Sequence, residues 1–219
     1  MKMNPFSPTR LRIVGLICAG VVIWAGFTEM AGRYSISKLQ QAPLNLPVPV
    51  MQQSWGTSCG EAVIAMTYNY AHPGSPIAEP EVISYASANE YYTAGRAPYT
   101  SPANMVKIAK HYADDISTGT VIASGQGLSL LVQKLSSGEP VIIDVLSDFR
   151  DPKSEAHFIV VTGLSTDPSR KNAILVHYND PFRGTQEAAD WTGSEGVWHA
   201  WQANGDPGGS GWWLVIPPP

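Results

Sequence analysis

The sequence predicts an α+β domain, helices first and an antiparallel sheet second, preceded by one N-terminal transmembrane helix. Three observations carry this. Apolar residues recur at helical spacing in three segments of the first half. Beyond Pro140 the pattern changes to short runs rich in β-branched and aromatic residues. An uncharged apolar stretch, Ile13 to Phe27, follows Lys2, Arg10 and Arg12.

The expected helices are Cys59 to Tyr70, Pro102 to Tyr112 and Leu128 to Ser137. The second has Ser101 as its cap and Pro102 in its first turn, with Met105, Ile108, Ala109 and Tyr112 on one face. In the third, Leu128, Leu131, Val132 and Leu135 share a face, and Gly138 stops it. Strands are expected at Val141 to Leu146, Phe158 to Leu164, Ala173 to Tyr178, Val197 to Trp201 and Trp212 to Ile216. Helices that precede strands, rather than alternate with them, are the pattern of α+β folds.

The apolar stretch reads as a membrane anchor. Trp24 to Ala31 offers no pair of small residues at signal-peptidase spacing, so an uncleaved signal anchor is expected over residues 13–30. Residues 1–12 then form a basic cytoplasmic N-terminus, 31–45 a partly Pro-rich spacer, and 46–219 the folded domain. The cationic residues ahead of the span put that domain on the extracytoplasmic side of the cell membrane, with a single pass. Of the 219 residues 44% are hydrophobic and 15% charged, which is enough apolar content for one buried core and the opposite of a disordered composition. Net charge is −4, and Lys and Arg are scattered, so no basic stripe is available to nucleic acid. Cys18 lies in the anchor and Cys59 in the domain, so no disulfide is expected. The lone thiol at Cys59 raises the question of reactivity.

The chemistry gathers around Gln52-Gln53-Ser54-Trp55-Gly56-Thr57-Ser58-Cys59-Gly60-Glu61. Ser58 and Glu61 have the spacing of a capping box, which makes Cys59 the first helical residue. Unpaired backbone N–H groups and the positive helix end there favour a thiolate. Farther on, Ala156-His157-Phe158-Ile159-Val160-Val161 and Ile174-Leu175-Val176-His177-Tyr178-Asn179-Asp180-Pro181 are two strands joined by a turn at Ser165 to Lys171. Antiparallel pairing brings the start of the first beside the end of the second. Asp180 can then orient His157; Asn179 is the neighbouring candidate, on the opposite face.

Together these motifs resemble the papain-like cysteine peptidases, closest to the bacterial branch of bacteriocin-processing, double-glycine leader peptidases. The likeness runs from about Leu46 to Pro181 and includes Gly138-Glu139-Pro140 ahead of a strand. It implies Cys59 as nucleophile, His157 as base, Asp180 as orienting residue, and the Gln53 side chain with the Cys59 backbone N–H as oxyanion hole. Gln52 is the alternative glutamine. The family often has Asp-Cys-Gly-Pro where this chain has Ser58-Cys59-Gly60-Glu61, and the sequence carries no transporter portion or nucleotide-binding Gly-rich loop. The fold therefore carries over better than the substrate.

The expected activity is hydrolysis of peptide or amide bonds in a peptide or protein substrate, without a cofactor. Two alternatives stand beside it: a non-catalytic binding or assembly subunit holding a membrane-protein partner, and a transpeptidase using the same triad. A metal site is not expected, because His157, His177 and His199 lack ligand spacing. Trp191, Trp198, Trp201, Trp212 and Trp213 are expected to pack in the core or on a sheet face.

Overall fold

The computed structural model describes residues 43–93, 99–170 and 173–218. The expected N-terminal anchor, residues 13–30, lies outside them. Among the described residues no helix is long and apolar enough to cross a membrane.

The described residues form five helices and nine strands: β1 (Leu44–Asn45), α1 (Cys59–Ala71), α2 (Glu79–Ala88), β2 (Tyr92–Thr93), β3 (Tyr99–Thr100), α3 (Pro102–Tyr112), β4 (Ser117–Thr120), α4 (Ser124–Ser136), β5 (Val141–Leu146), β6 (Ala156–Asp167), β7 (Ala173–Asp180), β8 (Thr185–Asp190), α5 (Val197–Ala203) and β9 (Trp212–Val215). The main sheet runs β4-β9-β5-β6-β7-β8, with β1 added against β6, and every pairing is antiparallel.

Helices cover both faces of this sheet, and strand parity sorts the side chains between them. Ile142, Phe158, Val160 and Leu214 pack with α1, α2 and α3. Val141, Ile143, Val145, Ile159, Val161 and Val215 pack with α4 and α5. All six residues of β5 are buried, which explains a run that is apolar on both faces except at Asp144: a strand covered on both faces has no solvent side to alternate with. A bulge between Val161 and Gly163 shifts the parity of β6, so Leu164 falls in the same core as Val161.

Several boundaries differ from the sequence reading. Val197 to Trp201 is helical, not a strand; Val197, Ala200 and Trp201 are buried at helical spacing, and packing of that face overrides the strand preference of Val and Trp. Helix α2 and strands β1, β2, β3, β4 and β8 are additional elements. Leu44 and Asn45, inside the expected spacer, already pair with Leu164 and Gly163 of β6. Trp191 and Trp201 are buried and stack edgewise with Trp198, so these three belong to the core.

Gly211 ties α5 to the sheet. Its N–H donates to Trp201 O and its carbonyl accepts from Val121 N–H. With φ at +67° and a Cβ that would sit 2.0 Å from Val121 O, any side chain strains the backbone and meets an immovable carbonyl. Gly211→Ala is expected to destabilise the domain by about 2–4 kcal/mol, combining left-handed strain with overpacking. Urea denaturation measures this, and an unchanged midpoint would contradict it.

Candidate active site

Helix α1 begins at Cys59, and its N-terminus reaches the end of the sheet where β6 starts and β7 stops. Close approach is possible because residue 60 is glycine: a Cβ there would lie 2.7 Å from Met105 Sδ and 3.5 Å from the Phe158 ring. Phe158 is the neighbour of His157 in β6, so the glycine helps bring sulfur and imidazole together.

His157 Nε2 and Asp180 Oδ1 are 2.8 Å apart. The register pairs Val160 with Asn179, which places Asp180 and His157 on one face as diagonal neighbours. Asn179 turns the other way, with its amide donating to Val48 O at 3.1 Å. Burial would pull the His157 pKa down, but hydrogen bonds with Asp180 and Cys59, and the charge of both, raise it from 6.5 to about 10. With Nε2 engaged by Asp180, Nδ1 is the ring nitrogen left for the sulfur. Burial would raise the Asp180 pKa; the His157 hydrogen bond and charge, then the N–H groups of Phe182 and Arg183, keep it below its ordinary value. Phe182 N–H lies 2.8 Å from Asp180 Oδ1.

Cys59 is a free, half-buried thiol. It opens onto a cleft of about 840 Å³ shared with His157, Tyr99, Phe182 and Asp206. A second hollow, about 860 Å³, adjoins His157 and Asp180 on the side of Phe149 and Tyr178.

Gln53 lies in the loop before α1. Its backbone N–H donates to Pro181 O at 2.8 Å, directly beside Asp180 in sequence, and its Nε2 donates to Trp55 O at 2.6 Å. The amide is thus held within its own loop and is not among the groups lining the cleft with Cys59. Gln52 points elsewhere, against Gly184 in the β7–β8 turn.

The expected capping box does not form. Ser58 is the residue before α1, but with φ −95° and ψ 27° it makes no side-chain cap bond. Its Oγ instead donates to Glu79 Oε1 at 2.6 Å. Glu61 is fully buried and accepts from Thr100 Oγ1. Burial raises its pKa from 4.5 to about 7; the Thr100 bond and its own backbone N–H oppose this, while the charge of Glu79 adds to it.

Two acidic features of the site escaped the sequence reading. Glu79, buried at the start of α2, accepts from Ser54 and Ser58. Asp144, fully buried in β5, has no donor on either oxygen. Burial, then the charge of nearby Asp206, pushes its pKa up, and Asp206 is raised as well, by burial. One signal was present for Asp144, a single charge inside an otherwise apolar run. Among the described residues no group of three or more His, Cys, Asp or Glu could hold a metal ion.

A cysteine at a helix N-terminus, set beside a histidine and an aspartate from an adjoining antiparallel sheet, is the arrangement of a papain-like cysteine peptidase. The chain belongs to the Peptidase_C39 like family, with the match spanning residues 45–206. No curated protein matches it.

Proposed function

We propose that this chain is a membrane-tethered thiol hydrolase that cleaves peptide or amide bonds, with Cys59 as nucleophile, His157 as base and Asp180 as orienting carboxylate. The observation that carries this reading is the buried His157, 2.8 Å from Asp180 Oδ1 and lining the same cleft as Cys59, with its pKa raised to about 10 by both neighbours. An imidazolium at neutral pH beside a sulfur forms an ion pair, in which the sulfur is the attacking group and the ring the proton donor.

In the first half-reaction the sulfur attacks the scissile carbonyl. The C–S bond forms, the carbonyl electrons move to oxygen, and His157 gives its proton to the departing amine as the C–N bond breaks. In the second, His157 takes a proton from water, whose oxygen attacks the thioester, and the thiolate leaves. The developing oxyanion is assigned to the Cys59 backbone N–H, unpaired at the helix start, and to Gln53. The Gln53 amide is turned to Trp55 O and does not line the cleft; its assignment rests on the family resemblance and on its second amide hydrogen, which Trp55 leaves free to donate. The substrate is a peptide or protein strand lying in the cleft of about 840 Å³. Residues 13–30 hold the domain at the extracytoplasmic face of the membrane. The kinship to the bacteriocin-processing branch rests on Gln53, the Cys59-Gly60 pair and the His157 strand, and is extended to the fold rather than to a leader-peptide substrate.

The test is an internally quenched peptide library incubated with the purified domain, followed by acid quench and mass spectrometry. Cleavage, with a substrate fragment in thioester linkage to Cys59, is the expected result. If no peptide is cleaved and Cys59 alkylates with iodoacetamide no faster than free cysteine, the hydrolase reading is lost and a non-catalytic binding subunit takes its place.

A further inference from the structure

Helix α2 opens with a buried carboxylate that the hydrolytic cycle does not use. Glu79 is 3% exposed, and its partners all belong to the loop ahead of the nucleophile. Ser54 N–H lies 2.9 Å from both carboxylate oxygens, Ser54 Oγ lies 2.5 Å from Oε2, and Ser58 Oγ lies 2.6 Å from Oε1. Ser54 follows Gln53 and Ser58 precedes Cys59. One carboxylate therefore holds the residue adjoining each of the two oxyanion donors.

We propose that Glu79 is a positioning residue that fixes the loop Ser54–Ser58 and thereby sets the separation between the Gln53 amide and the Cys59 backbone N–H. This rests on the thiol-hydrolase reading above. The loop has little else to fix it. Trp55 is 55% exposed, and a Cβ on Gly56 would touch nothing within 4 Å, so apolar packing does not hold the turn. Within the loop, Ser58 N–H and Oγ reach Trp55 O at 3.2 and 3.1 Å. These bonds close the turn; Thr57 Oγ1, 2.6 Å from the Tyr92 hydroxyl, ties its middle to the body of the domain, and Glu79 alone holds both of its ends. Charge-assisted bonds to a buried carboxylate are shorter and stronger than neutral ones, and α2 carries that carboxylate on a rigid element packed against α1 through Val82 and Ala86. Oxyanion donors stabilise a transition state only when already in place, so a clamp on both ends of their loop bears on turnover more than on binding.

The test compares wild type, Glu79→Ala, Glu79→Gln and the double variant Ser54→Ala/Ser58→Ala, with p-nitrophenyl acetate as acyl substrate. Rates are expressed per Cys59 titrated in the fast phase of iodoacetamide alkylation, which leaves out unfolded protein, whose thiols react at the rate of free cysteine. In Glu79→Ala, kcat is expected to fall about 10- to 100-fold, the cost of a donor displaced rather than deleted. KM should stay within about threefold. Glu79→Gln, which keeps one acceptor oxygen, should fall between that variant and wild type, and the double variant should follow Glu79→Ala. Iodoacetamide alkylation builds no oxyanion, so its rate should remain close to wild type throughout. A Glu79→Ala enzyme with wild-type kcat per titrated Cys59, even one that melts earlier, overturns the proposal alone. A wild-type chain no faster than Cys59→Ala overturns the hydrolase reading and this proposal with it.

Discussion

Replacing His157 with alanine is expected to lower kcat/KM for any cleaved peptide by about 100- to 10,000-fold, the usual worth of a positioned general acid–base. Cys59→Ala should be inactive altogether. The two variants separate two tasks of the imidazole. His157 is bonded to Asp180 and lines one cleft with Cys59, and its pKa is raised to about 10 because both neighbours favour the charged ring. Removing it takes away the proton donor for the leaving amine and also the positive charge beside the sulfur. Alkylation by iodoacetamide, which needs only the second, should therefore slow in His157→Ala as well. Asp180→Asn keeps an oxygen to accept from Nε2 but loses the charge, so it should lie between wild type and His157→Ala. Stopped-flow alkylation at pH 7 measures the comparison. If Cys59 in His157→Ala reacts at the wild-type rate, the ion pair is not what activates the sulfur.

The parts of this molecule that were readable in advance are those fixed by local rules. Ser101 and Pro102 mark the start of α3, and its side-chain cap bond forms to Asn104 N–H. Val141 to Leu146 is a strand over the expected residues, because five of its six residues are β-branched or aliphatic and suit a strand covered on both faces. The meeting of His157 with Asp180, and the opposite facing of Asn179, follow from strand parity alone. What was not readable depends on contacts between distant segments. Val197-Trp198-His199-Ala200-Trp201 has the composition of a strand, and only the packing of Trp201 against Trp191 and Trp198 shows which period is used. Ser58 and Glu61 have capping-box spacing, yet Ser58 lacks the extended backbone that lets a cap oxygen reach forward. Both side chains are taken by residues far along the chain, Glu79 and Thr100. Glu79 itself is 20 residues or more from the serines it holds, a separation at which no sequence spacing rule applies.

Acid should stabilise this fold relative to neutral pH, because carboxyl groups are buried without compensating cations. Glu61 has its pKa raised from 4.5 to about 7, chiefly by burial. Between those values the unfolded chain has released a proton that the folded chain still holds, so the Glu61 contribution falls as pH rises through this interval and levels off above it, while His157, raised from 6.5 to about 10, continues the decline at higher pH. Asp144 and Asp206, both raised, push in the same direction. Asp180 and Asp167 have lowered pKa values and weaken the fold only on further acidification, below the range at issue. The urea midpoint is thus expected to decline from pH 4.5 to 7. In Glu61→Gln the decline should shrink, because the amide can still accept from Thr100 Oγ1 and no longer ionises. Asp144→Asn should shrink it further, since an amide can donate to Asp206. A wild-type midpoint that is flat or rises over this interval would mean that these carboxyls are solvated or paired with cations. Glu61 lies two residues beyond Cys59, so its ionisation also adds negative charge behind the nucleophile. A Glu61→Gln enzyme whose rate and stability change over different pH intervals would show that the two effects are separable.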